Sequence, residues 1–168
     1  MKLALAPISF LGQPKNYAIV DRYVSRSAQP QADDFAWLKA QGVTDIFNFR
    51  TMYAPDINFD EKAVVEGLGM NYHLIPTNTK EPTEKGILIF LDGIKKVIKN
   101  GGKAHIHCKA GADRTGMYTY VYKSVNGIGD RVLNQLEMLQ YGHNTTIFPN
   151  LIPWVNELIN KMLKTLKK

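Results

Sequence analysis

The chain has 168 residues, 45% of them apolar and 21% charged, with a formal charge of +6 and a pI near 9.3. That is enough for one domain with a sizeable core and too little for two ordinary ones, and the composition excludes a disordered tail. One cysteine, Cys108, excludes an internal disulfide, and no Cys/His cluster has the spacing of a zinc site, so no metal or other cofactor is expected.

Part of the positive charge is local, since Lys161, Lys164, Lys167 and Lys168 crowd the C-terminus. Such a cluster reads first as a solvated helix face; the functional alternative is attraction of an anionic partner, above all a phosphorylated substrate. No basic run is interleaved with aromatics, so nucleic acid is not an expected partner. No apolar run is long enough for a bilayer, so stable membrane insertion is not expected. Residues 1–12, MKLALAPISFLG, carry a lysine and a short apolar run like a signal-peptide remnant, but Pro7 interrupts them and no small-x-small cleavage site is clear. The expectation is a monomer in the cytoplasm, with export or a periplasmic location as the alternative.

In chain order, residues 1–20 contain Pro7, Gly12 and Pro14 and read as an irregular lead-in. SRSAQPQADD supplies turn chemistry, and Asp33 or Asp34 can cap a helix running to Gln41 and ended by Gly42. Val43 to Phe49 is a short apolar run rich in β-formers, a buried strand. Asp60 to Leu68 reads as a second helix and Met70 to Ile75 as a second strand. Pro82 and Thr83 then start a helix whose apolar residues, from Ile87 to Ile98, fall at helical spacing up to Gly101 and Gly102. KAHIHC reads as a third strand. A helix from Thr115 to Val125, poor in charge and therefore buried, follows; Asp130 to Tyr141 and residues 151–168 make two more. Helices alternating with short buried strands predict one α/β domain over residues 1–168, with a short, largely parallel central sheet flanked by helices.

In such sheets ligands bind beyond the carboxyl ends of the strands, and the stretch HCKAGADRTG, His107 to Gly116, lies at such a place between the third strand and the next helix. A glycine-containing turn that opens a helix aims several backbone N–H groups at one centre, so Lys109, Ala110, Gly111 and Ala112 are expected to cradle a tetrahedral dianion. Arg114 adds a planar fork able to take two phosphate oxygens. The same environment favours the Cys108 thiolate, placed for nucleophilic attack on phosphorus and a phosphocysteine that water then hydrolyses. Thr115 can hydrogen-bond the sulfur as it leaves. His107 reads as a structural hydrogen-bonding residue, because this nucleophile needs no separate base.

These residues resemble the Cys-x5-Arg-Ser/Thr signature of the protein tyrosine and dual-specificity phosphatase superfamily. The HCKAG-x-x-RTG form is similar to that of phosphoinositide-type members and bacterial dual-specificity-like phosphatases. YVSRSAQPQADDFAWLKAQGVTDIFNFR also resembles the YRSGQP…L…GI…VINLR opening of the bacterial members, and the likeness spans roughly residues 17 to 145. It implies a cysteine-dependent phosphomonoester hydrolase acting on inositol polyphosphates, phosphoinositides or phosphotyrosine substrates, with a phosphate-binding module without turnover as the rival.

The resemblance also implies a general acid, usually an aspartate four residues ahead of a proline. Counting back from Pro82 here gives Asn78, an amide. Asp113, just before the signature arginine, occupies the position credited with the acid role in some bacterial relatives, and is the expected acid. Its alternatives are loop-shaping by Asp113, a contribution from Glu81 or Glu84, or a chain without turnover. Lys109 matches a lysine of the lipid-type loops and, with the net charge, leans the substrate toward the inositol class. Arg50 reads as an ion-pairing residue, His73 as packing and His143 as part of a loop.

Overall fold

The computed structural model describes residues 12–166, so the leader-like residues 1–11 and the last two lysines lie outside the described residues. The strands are β1 (Ala18–Ile19), β2 (Val24–Ser27), β3 (Asp45–Asn48), β4 (Asn71–Leu74) and β5 (Ala104–His107). The helices are α1 (Asp34–Ala40), α2 (Glu61–Gly67), α3 (Glu84–Lys99), α4 (Asp113–Val125), α5 (Arg131–Gln140) and α6 (Leu151–Leu166). The strands form one sheet in the order β1-β2-β5-β3-β4. β2, β5, β3 and β4 are parallel and β1 is an antiparallel edge. The expected α/β architecture with a largely parallel sheet is the one observed.

Strand alternation sends successive side chains to opposite faces. On one face Ile46 packs with Phe35 and Leu38 of α1 and Val65 of α2. On the other Phe47 and Ile106 join Phe90 and Ile94 of α3, Tyr118 and Val121 of α4, and Val155 and Ile159 of α6. Each fully buried aliphatic or aromatic side chain contributes about 1.5–3 kcal/mol, so these two clusters hold the layers together. Caps set the helix starts: Thr83 accepts from Gly86 N–H, Asp60 from Ala63 N–H, and Asp130 from Val132 and Leu133 N–H.

Four local expectations need correction. Ser25 to Ser27, read as turn, form with Val24 a buried strand beside β5. Its polar residues are paired rather than solvated: His105 bridges the Ser25 and Ser27 hydroxyls at 2.9 and 2.8 Å. The lead-in contains β1, whose Ala18 pairs with Arg26. Asp33 stands at the start of α1 without a capping bond, while Asp34 accepts from Gln31 N–H instead. α4 begins two residues before Thr115, which puts Asp113 and Arg114 on its first turn.

Candidate active site

β5 is the central strand, and the chain leaves its carboxyl end at Cys108, 2% exposed, on the same side as Ile106. The loop then turns through Gly111, whose φ is +70°. A Cβ there would lie 2.6 Å from the backbone of Ser27 and Ala28, so only glycine lets the loop rest on the exit of β2.

The loop's carbonyls are held outward one after another. Lys109 O accepts from Gln29 N–H at 3.0 Å, Ala110 O from the Asn16 side chain at 3.1 Å, and Gly111 O from Arg26 Nη2 at 2.7 Å. Cys108 O is 3.3 Å from His107 Nδ1. In a planar trans peptide the carbonyl of one residue points opposite to the N–H of the next. Pinning three carbonyls away from the centre therefore turns the following N–H groups toward it. The N–H groups of Lys109 to Ala112 meet no acceptor among the described residues. They form an anion nest at the start of a 13-residue buried helix.

Arg114 donates from Nη1 to Phe49 O at 3.3 Å, which steadies the guanidinium against the exit of β3. Thr115 is fully buried and its hydroxyl has no partner among the described residues. Beneath the loop on the same face lies Arg26, 1% exposed, paired with Glu137 of α5 at 3.3 Å and stacked 4.1 Å over Tyr141. On the opposite face His107 Nε2 meets Glu61 Oε1 at 2.7 Å, and Glu61 also accepts from Gln29 at 2.7 Å and Asn48 at 3.2 Å. Burial works to raise the Glu61 pKa, but His107, Gln29 and Arg50 outweigh it and the net shift is downward. His107 thus has the structural role expected of it. Sequence reasoning assigned no role to Arg26, Asn16, Gln29 or Glu61; the signal for Arg26 and Gln29 was their place in the stretch resembling YRSGQP.

Of the acid candidates, Asn78 is an amide whose side chain accepts from Lys80 N–H. Glu84 is paired with Lys161 of α6 at 2.8 Å, and Glu81 is exposed. Asp113 is partly exposed and takes His143 Nδ1 at 2.6 Å and Asn144 N–H at 2.9 Å, both on Oδ1. Oδ2 has no partner among the described residues. His143 is therefore part of the loop's surroundings. Arg50 forms its ion pair, with Asp56, and also reaches Gln29 at 2.9 Å. Arg50's hydrogen bonds hold the Asp56 carboxyl below its ordinary range and nearby Lys109 adds to the effect. Lys109 itself is exposed at the rim. His73 packs against Phe47, centroids 4.3 Å apart, and bonds Asp45 at 2.8 Å.

A short, mostly parallel sheet with HCKAGADRTG at the end of its central strand defines the class: a phosphatase of the tyrosine and dual-specificity superfamily. Residues 21–126 match the family described as "Tc-R-P: Polymorphic toxin system, DSP-PTPase phosphatase", and the chain belongs to that family. No curated protein matches the sequence. Among solved structures, a DUF442 protein of Shewanella putrefaciens CN-32 is similar with a TM-score of 0.78 and 22% identity, over 90% of this chain and 93% of that one. TpbA of P. aeruginosa gives 0.74 and 20% over 92% of each chain. PTPMT1 gives 0.74 and 16% over 90% of this chain and 99% of that one. TpbA has also been crystallised in complex with phosphotyrosine. Among the described residues, no helix is long and apolar enough to cross a membrane.

Proposed function

We propose that this phosphatase hydrolyses phosphomonoesters through a phosphocysteine, with Cys108 as nucleophile. The observation that carries the reading is the loop whose carbonyls are pinned outward, leaving its amides without acceptors among the described residues around the end of β5. In this reading Gly111 and the amides of Lys109, Ala110 and Ala112 hold the phosphate oxygens. Arg114 binds two of them and meets the charge of the transition state, where such preorganised donors count most. The Cys108 sulfur attacks phosphorus as the ester oxygen leaves with a proton, and water then attacks the phosphocysteine to release phosphate and the thiolate. Thr115, whose hydroxyl has no partner among the described residues, donates to the sulfur in that second step.

Asp113 is the proton donor in this reading. Its Oδ1 is anchored by the loop at His143 and Asn144, which leaves Oδ2 to face the leaving group. The substrate we propose is a phosphotyrosine-type monoester, of the kind bound in the phosphotyrosine complex of TpbA.

The test is phosphate release from a phosphotyrosine peptide and from inositol hexakisphosphate, with Cys108→Ser as blank. Release from the peptide alone is expected. Release from the inositol substrate alone reverses the substrate choice and makes Lys109 a contact. Phosphate binding with no release from either substrate leaves a binding module.

A further inference from the structure

We propose that Arg26, on β2, is a positioning residue for the phosphate loop: its buried guanidinium holds the Gly111 peptide so that the Ala112 N–H faces the phosphate, and it places a second positive charge beneath the bound anion. The inference rests on reading Cys108 to Arg114 as the phosphate site. An arginine 1% exposed in a sheet strand costs several kcal/mol of desolvation unless its charge and donors are met. Its bond to Gly111 O, at 2.7 Å, is the shortest it makes, and Nε has no partner among the described residues. Its carboxylate is shared: Glu137 lies 3.3 Å from Arg26 and 2.5 Å from Lys123.

Two cations against one carboxylate leave this partly buried cluster one positive charge in excess. A neutral donor would suffice to cap a carbonyl; the charge left over is available to the anions of the loop, the Cys108 thiolate and a bound phosphate. Burial pulls the Arg26 pKa down, while Glu137, Tyr141 and Cys108 oppose it. Because the Gly111 carbonyl and the Ala112 N–H share one peptide plane, a donor that fixes the first aims the second.

Binding of inorganic phosphate is measured by titration calorimetry, alongside kcat/KM and thermal unfolding. Arg26→Met should weaken phosphate binding about tenfold, and Arg26→Lys, which keeps the charge and a donor of similar reach, should restore it to within about threefold. Val155→Ala, in the core at α6, should lose stability and bind phosphate like wild type. Equal binding by wild type and Arg26→Met overturns the inference, as does an equal loss in Val155→Ala. Should Arg26→Met not fold, Tyr141→Leu removes the ring under the guanidinium; about threefold weaker binding is expected, and unchanged binding overturns the inference. A wild type that does not bind phosphate at all overturns the reading of the loop itself.

Discussion

Thr115 is a buried hydroxyl without a partner among the described residues, in a helix whose neighbours are packed. Burying such a group costs about 1–3 kcal/mol, and that cost persists where the group serves a step of the reaction. Thr115→Val, nearly isosteric, should therefore raise stability by about 1 kcal/mol in urea unfolding while lowering kcat. A variant that is both less stable and fully active would show the hydroxyl to be structural. Asp113 is tested through the leaving group. Asp113→Asn should cut kcat on a phosphotyrosine peptide about 100-fold or more, but much less on p-nitrophenyl phosphate, whose phenolate leaves without a proton. Equal losses on both substrates would assign Asp113 to the His143–Asn144 contact instead.

The paired strands β2 and β5 carry a second prediction. His105 is fully buried between the hydroxyls of Ser25 and Ser27, and burial, with His107 nearby, holds its pKa well below 6.5. The folded chain thus keeps His105 neutral where the unfolded chain takes up a proton. The stability is fully present above pH 6.5 and falls as the pH drops below it, by about 1.4 kcal/mol per pH unit for one proton. Urea midpoints measured from pH 7.5 to 5 should show that slope flattened in His105→Gln. An identical slope in both proteins would place the acid sensitivity elsewhere. The same pairing explains why β2 was not legible: Val24 is its one apolar residue, and Ser25, Arg26 and Ser27 read as turn until partners on other elements take up their polar groups. Apolar-rich β3 was legible from its own residues, as was the amphipathic α3.

At the scale of the whole chain, the sheet divides the core in two, and the tryptophans report on each half. Trp37 packs with the α1–α2 cluster and Trp154, on α6, with the larger one. A single domain predicts that both halves melt together. Trp37→Phe and Trp154→Phe, each left with one indole, should unfold with coincident fluorescence and circular dichroism transitions, and separated midpoints would divide the chain into two units. The architecture also explains the site's place. β5 lies between β2 and β3, so the loop after it is bounded by the exits of both neighbours, Ser27–Ala28 on one side and Phe49 on the other.

The sequence by itself determined which groups we propose to carry the reaction. Cys108, Gly111, Arg114 and Thr115 lie within one short stretch between a strand and a helix, and their chemistry follows from local spacing and backbone geometry. Only the tertiary structure decided what holds that loop in shape. Asn16 reaches Ala110 across 94 residues of chain and Arg26 reaches Gly111 across 85. Such contacts depend on which strands become neighbours, and that is settled by burying both faces of the sheet at once, a sum over the whole chain that no local pattern contains.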